Sequence, residues 1–265
     1  MNYNQSELRN WAMLATDYDD IRSPIIYPVL VQEKLNGVRA KWDGEKQLFI
    51  SRNGEIWPEH ILPDLYFSHR RMTKSFDGEL YSYDLSFQEI TQAVSVNRLT
   101  PHPNAIKVGF FVFDIINDEV SQERLRYAVC QPYKQCNTIE EVFDCLKQVR
   151  QRNGEGIIIR QRGCPYIPGR TEALIKLKPW ITQMAEIVGM NEGLGKNHGS
   201  LGALIVELTN GIQVKVGGGP GLSDECRKNF WNNKNIWLRK SVVIRYRELS
   251  DTGVPLQPQI CYEPN

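Results

Sequence analysis

The sequence predicts an α+β domain of antiparallel sheets with flanking helices over residues 1–180, followed by an all-β domain over residues 181–265. Three observations predict it. Short apolar runs are separated by Asn-Gly and Asp-Gly dipeptides, two helix starts carry capping boxes, and only strand-like runs follow Lys178-Pro179-Trp180.

The runs 29–35, 38–42 and 47–51 are bounded by Asn36-Gly37, Asp43-Gly44 and Asn53-Gly54. Such dipeptides supply the positive φ of tight hairpin turns, so these runs are expected to form an antiparallel meander. Ser86 with Glu89, and Thr138 with Glu141, have the spacing in which a hydroxyl and a carboxylate satisfy orphan amides at a helix start. The second helix places Ile139, Val142, Phe143, Leu146 and Val149 on one face and stops at Asn153-Gly154. Beyond residue 180, strands are expected over 185–190, 202–208, 211–216 and 242–249, enough for a small five-stranded barrel of the oligonucleotide-binding (OB) type.

Composition supports a folded chain and narrows its class. With 41% hydrophobic and 24% charged residues in 265, there is apolar mass for one large core or two modest ones, and disordered or fibrous classes are excluded. The longest apolar run, 108–116, is broken by Gly109 and Asp114 and falls far short of the roughly 20 residues that cross a bilayer. No membrane partner is expected. Residues 1–7 have neither a basic start nor an apolar core, so a cytoplasmic location is expected. Cys130, Cys136, Cys145, Cys164, Cys226 and Cys261 are scattered without a Cys-x-x-Cys pair, which reads as reduced thiols rather than a zinc site. Lys and Arg number 32 against 31 Asp and Glu, so bulk charge would not hold a polyanion. Distribution matters more. Residues 226–247 carry seven basic residues, no acidic one, and the aromatics Phe230, Trp231, Trp237 and Tyr246, a candidate phosphate-binding surface.

Several short motifs could carry chemistry. Lys34 ends an apolar strand, precedes a glycine and is followed five residues on by Arg39. A lysine attacks only as the neutral amine, and burial or a nearby cation such as Arg39 could favour that form. Asp77 and Glu79 are two residues apart, on one face of a strand, where they could hold Mg²⁺ or accept from a ribose hydroxyl, or lie in a solvated turn. Glu155 sits between Gly154 and Gly156 at the mouth of an apolar strand, as close approach of a ligand to backbone would require. Lys176 and Lys178 share a strand face, as a phosphate clamp or as ordinary surface charges. Phe113 closes an aromatic strand and could be core or a platform for a base.

In this order the motifs resemble those of the covalent nucleotidyltransferases, and most closely the ATP-dependent DNA ligases: Lys-x-Asp-Gly-x-Arg, Ser-Arg, Asp-Gly-Glu, aromatic-Asp, Glu-Gly-x-x-x-Arg and Lys-x-Lys. The resemblance covers nearly the whole chain. Residues 185–189, 193–196, 199–204, 210–211, 216–219 and 222–224 resemble the OB domain of DNA ligases.

The resemblance implies a nucleotidyltransferase domain followed by an OB-fold domain, with ATP and Mg²⁺ (or Mn²⁺ in its place) as cofactors. It implies a monomer acting on nicked duplex DNA in replication or repair, its protein recruiter unidentified. Lys34 is then the nucleophile that forms lysyl-AMP. Gln32 would read the adenine amine, Phe113 would stack on the base, and Glu79 would bind ribose or metal with Asp77 beside it. Arg39 and Arg52 would hold AMP and the 5′-phosphate of the nick. Glu155 would be the second metal-binding acid, Lys176 and Lys178 would grip the α-phosphate, and Arg160 and Arg170 would lie on the nucleotide or nucleic-acid side. In the second domain Lys196, Lys215, Arg227, Lys228, Arg239 and Lys240 would meet DNA.

Two positions depart from the family. Asn36 stands where aspartate is usual, a substitution better tolerated among RNA ligases, so an RNA ligase or capping-type enzyme is the first alternative. The closing Arg-x-Pro-x-Phe-x-x-x-Arg is replaced by residues 253–262 without arginine, which leaves a noncatalytic nucleic-acid-binding module as the second. The 219–237 interval has little room for the long hairpin with which some compact ligases encircle DNA.

Overall fold

The computed structural model describes residues 8–116, 132–250 and 252–262; residues 1–7 and Cys130 lie outside the described residues. The chain divides into two compact units, Met1–Lys178 and Pro179–Asn265.

The strands of the first unit are β1 (Met13–Asp17), β2 (Val29–Lys34), β3 (Val38–Asp43), β4 (Leu48–Ser51), β5 (Phe76–Tyr81), β6 (Gly109–Ile115), β7 (Lys134–Cys136), β8 (Gly156–Gln161) and β9 (Gly169–Leu177). Among the described residues it also contains the α-helices α1 (Pro63–His69), α2 (Phe87–Ala93) and α3 (Ile139–Gln151). The strands form a five-stranded sheet in the order β1-β9-β8-β2-β7 and a four-stranded sheet in the order β4-β3-β5-β6. All neighbours are antiparallel except β1 and β9, which run parallel and shift register between Ala15 and Thr16.

The expected meander is only partly formed. β3 and β4 pair, but β2 belongs to the other sheet, so Asn36-Gly37 is a crossing between sheets and not a hairpin turn. The glycine is there for space: a Cβ on Gly37 would lie 2.3 Å from the Leu80 carbonyl oxygen. In the β3–β4 turn the positive φ falls on Gln47, not Gly44.

Both capping sites start helices. At α2 the Ser86 hydroxyl accepts from the Glu89 amide and the Glu89 carboxylate accepts from the Ser86 amide. At α3 Thr138 accepts from the Glu141 amide, but the Glu141 carboxylate reaches the Asn137 amide instead. The buried face of α3 is Val142, Cys145, Leu146 and Val149; Phe143, expected on it, is exposed and meets the Tyr18 ring edge-on. One core packs α3 against the larger sheet through Val31, Ile157, Ile159 and Ile175, and a second packs the smaller sheet around Trp42, Phe49, Trp57 and Tyr66. The five described cysteines are free thiols, with Cys136 and Cys145 Sγ atoms 3.6 Å apart in the first of these cores.

The second unit contains β10 (Ile181–Glu192), β11 (Leu201–Leu208), β12 (Gln213–Val216), α4 (Asp224–Asn232), α5 (Lys234–Trp237), β13 (Ser241–Tyr246), β14 (Glu248–Leu249), β15 (Pro255–Leu256) and β16 (Gln259–Tyr262). Five strands form an antiparallel sheet in the order β12-β11-β10-β13-β16. Its two edges meet: the Ile260 amide donates to the Gly218 carbonyl at 2.9 Å, and the Gly221 amide donates to the Ile260 carbonyl at 3.1 Å. Gly219 permits this closure, having φ +116° and a backbone only a Cβ's reach from the Ile260 carbonyl oxygen. The unit is not strands alone. Helices α4 and α5 occupy most of the 219–237 interval, with Ser223 capping α4 by accepting from the Cys226 amide. No helix among the described residues is long and apolar enough to cross a membrane.

Candidate active site

A cleft of about 820 Å³ opens in the first unit. β2 carries Gln32 and Lys34 to its floor, β3 carries Arg39, β5 carries Glu79, β6 carries Phe113, β8 carries Arg160, and β9 carries Arg170 and Lys176; Arg52 follows β4 at the rim. Strand alternation explains the convergence. Arg39 pairs with Glu79 across neighbouring strands, so both side chains share one face, and Phe113 reaches the cleft from the point where the β5–β6 register shifts between Asp77 and Gly78.

Lys34 is half-buried, and its Nζ donates to Glu155 Oε2 at 2.5 Å. Lys178 grips the other oxygen of the same carboxylate. Register brings them together: Lys34 pairs with Gly156 and Ile157 with Leu177, which sets Glu155 and Lys178 beside the end of β2. The flanking glycines serve the protein's own packing and not ligand approach. A Cβ on Gly154 would lie 2.5 Å from Val149 Cγ1, and one on Gly156 would lie 2.5 Å from the Leu177 carbonyl oxygen.

Arg39 does not attend Lys34 as expected. Its Nε and Nη2 donate to Asp77 Oδ1 and Oδ2 at 2.6 and 2.5 Å. Its guanidinium carbon stands 4.7 Å from the centroid of the Phe113 ring. Burial of Arg39 disfavours its charge, but the Asp77 carboxylate outweighs burial and holds the guanidinium cationic. The expectation that Asp77 serves a metal is overturned by its surroundings: it is 1% exposed, absent from the cleft lining, and hydrogen-bonded by Arg39 and the Tyr166 hydroxyl.

Glu79 does line the cleft. Burial pushes its carboxyl up to about 7, against the opposing pull of Arg39 and Lys34. No cation among the described residues lies within ion-pair distance of it. A cleft carboxylate without a partner suits a hard divalent cation or a ribose hydroxyl. The described residues hold no ready-made group of three metal-ligating side chains, so a metal here would take part of its shell from substrate or water.

The remaining positions divide. Lys176 lines the cleft and lies 3.5 Å from Asp17, its register partner on β1. Arg170 donates to the Ala15 carbonyl at 2.6 Å, and Gln32 donates to the Phe113 carbonyl at 3.4 Å. Arg160 touches the cleft, but is 2% exposed and paired with buried Asp114 at 2.7 Å, which makes it a support for the floor. Sequence reasoning passed over Tyr166 and the apolar wall of Ile158 and Leu174, because nothing in their spacing separates them from core.

In the second unit Lys196, Lys215, Lys228, Arg239 and Lys240 are exposed. Arg227 is not available to DNA as expected: its guanidinium donates to the carbonyls of Leu201, Gly202 and Gly217, at 2.9, 3.0 and 2.7 Å. The interleaved aromatics also turn inward. Phe230 and Tyr246 are buried, and Trp231 and Trp237 are partly buried against the same core, Trp237 packing on Phe230 and Trp231 carrying the Lys234 ammonium at 3.0 Å over its ring. The helices α4 and α5 carry Phe230, Trp231 and Trp237 to the barrel's core, and strand β13 carries Tyr246 there.

The two units together have the architecture of a nucleotidyltransferase domain followed by an OB domain. Family models match both: that of the ATP-dependent DNA ligase domain over residues 12–178, and that of the DNA ligase OB-like domain over residues 192–261. The chain belongs to the ATP-dependent DNA ligase family. The fold class and the enzyme class expected from sequence are borne out. A DNA ligase of Haemophilus influenzae is 27% identical over 239 residues, 85% of this chain and 83% of that protein. Among solved structures, a Lig E DNA ligase superposes with a TM-score of 0.72 at 24% identity, covering 94% of this chain and 96% of that one. The ATP-dependent DNA ligase of bacteriophage T7, in complex with ATP, gives a TM-score of 0.54 at 16% identity, covering 97% and 100%.

Proposed function

We propose that this ATP-dependent DNA ligase seals nicks in duplex DNA by three transfers at one cleft, and that Lys34 is its nucleophile. The observation that carries the reading is Lys34 at the floor of the cleft, held against Glu155 and within the same lining as Glu79, Arg39 and Phe113. The first unit is the adenylyltransferase domain and the second binds nucleic acid.

In the first transfer the neutral Lys34 amine attacks the α-phosphate of ATP; a P–N bond forms, the P–O bond to pyrophosphate breaks, and a lysyl-AMP phosphoramidate remains. Glu155 fixes the direction of Nζ; the ammonium gives one proton to solvent before attack, and the second leaves to solvent as the phosphoramidate forms. Lys176 and Lys178 stabilise negative charge on the α-phosphate, while Phe113 and the Ile158–Leu174 wall enclose the base. Glu79 and Glu155 would hold Mg²⁺, or Mn²⁺ in its place, which when bound neutralises charge developing on the phosphates. In the second transfer a DNA 5′-phosphate oxygen displaces Lys34 from AMP. In the third the 3′-hydroxyl attacks that phosphate and AMP leaves. Arg52 and Arg170, at the exposed rim, meet the 5′-phosphate. Lys196, Lys215, Lys228, Arg239 and Lys240 bind the duplex backbone.

The protein acts as a cytoplasmic monomer, closing breaks left by replication or repair. Intact mass after incubation with ATP and Mg²⁺, peptide mapping, and a chase with nicked DNA or RNA test the reading. AMP on Lys34 that nicked DNA discharges supports it. An adduct discharged only by RNA gives the chain to RNA ligation, the outcome Asn36 would favour, and no adduct on a folded protein defeats it.

A further inference from the structure

Beneath the cleft lies a closed ring of hydrogen bonds that the three transfers do not use. Arg39 grips both oxygens of Asp77. The Tyr166 hydroxyl donates to Asp77 Oδ2 at 2.7 Å and accepts from the Met13 amide at 3.1 Å. The Met13 carbonyl closes the ring by accepting from Arg39 Nη2 at 3.0 Å. Three of the five guanidinium N–H donors are committed in this way, and the two on Nη1 are the ones left for a ligand.

We infer that Tyr166 and Asp77 are positioning residues for nucleotide binding: through this ring they fix the rotamer of Arg39 so that Nη1 faces the nucleotide. The inference rests on the reading of Arg39 as a nucleotide contact given above. Three observations carry it. Asp77 is 1% exposed, so it meets a ligand only through Arg39. Arg39 itself lines the cleft and lies over the Phe113 ring. Tyr166 stands in the 162–168 connection between β8 and β9, which contributes no lining residue, yet its hydroxyl reaches the carboxylate that orients Arg39. Without that hydroxyl, Asp77 Oδ2 loses one of its donors and the Met13 amide loses its acceptor. The fork of Arg39 is then free to swing with Asp77.

A purely structural role would have Tyr166 pin its connection to β1 and nothing more. Thermodynamic coupling to Arg39 separates the two. The experiment follows adenylylation of Lys34 by intact mass over a range of ATP concentrations, with thermal midpoints recorded alongside. It compares wild type, Tyr166→Phe, Asp77→Asn, Arg39→Ala and the two double variants that combine Arg39→Ala with each of the others. Tyr166→Phe is expected to raise the half-saturating ATP concentration by about tenfold, the scale of one lost charge-assisted hydrogen bond, with a much smaller change in maximal rate. In the Arg39→Ala background it should change the ATP requirement no further. Asp77→Asn should behave likewise, and it decides the matter if Tyr166→Phe does not fold. An unchanged ATP requirement, or the same fold-change with and without Arg39, overturns the inference. A wild type that takes up no AMP overturns the nucleotide reading and this inference together, whereas a labelled wild type with silent variants overturns the inference alone.

Discussion

Lys34 Nζ lies 2.5 Å from Glu155 Oε2, and the second oxygen of that carboxylate is held by Lys178. The amine proposed as nucleophile is therefore aimed by a carboxylate that is itself pinned by a second cation. Such a carboxylate has two jobs in sequence, holding the ammonium in place and then giving it up.

This arrangement predicts that Lys34→Ala abolishes the AMP adduct, and that Glu155→Gln, with similar shape and no charge, slows its formation by about 100-fold through misplacement of the amine. Rapid-mixing intact-mass measurements check it. Adenylylation at the wild-type rate in Glu155→Gln would remove Glu155 from the mechanism.

Glu79 gives a prediction about pH. Burial raises its carboxyl to about 7, above the ordinary 4.5. The folded state therefore holds a proton that the unfolded chain releases between those values, and stability falls as pH rises through that window. Glu79→Gln should leave the thermal midpoint unchanged near pH 4 and raise it at pH 8, by the equivalent of about 1–3 kcal/mol. The same variant should lose adenylylation. Equal midpoint changes at both pH values would contradict the assignment.

Arg160 and Asp114 form an ion pair 2% and 0% exposed, under the cleft. Asp114→Ala leaves the guanidinium buried without its counter-charge and should cost about 3–5 kcal/mol in urea unfolding. Replacing an exposed pair such as Arg70–Glu59 should cost under about 1 kcal/mol.

In the second unit Arg227 and its neighbour Lys228 should separate by assay. Arg227→Ala removes hydrogen bonds to three carbonyls and should lower stability by about 1–3 kcal/mol. Lys228→Ala should leave stability unchanged and, if Lys228 meets a phosphate, reduce the slope of log affinity against log salt by about 0.9. Fluorescence anisotropy with a nicked duplex at several salt concentrations reads the second effect.

Legibility followed the range of the interaction. The capping hydroxyls of Ser86 and Thr138 act over three residues, and both helices start where the spacing placed them. The Lys34, Glu79, Phe113 and Lys176 positions were readable because motif order survives folding, and one cleft collects them. Local patterns failed where a partner was distant. Asn36-Gly37 looks like a hairpin turn until Leu80 arrives on the neighbouring strand, and Gly154 and Gly156 look like a ligand's approach until Val149 and Leu177 close over them. The aromatics of residues 226–247 had no visible side until α4 settled on the barrel.

By itself the sequence determined the class of the chain, its two-part order, the helix starts and the residue types available for nucleotidyl transfer. Those properties depend on composition, local hydrogen bonding and order along the chain. Only the tertiary structure decided which charges are free to act. Asp77 went to Arg39, Arg160 to Asp114 and Arg227 to the barrel's carbonyls, while Glu79 was left facing the cleft. A buried charge must be met by a partner, and strand register rather than sequence spacing determines which residue is near enough to meet it.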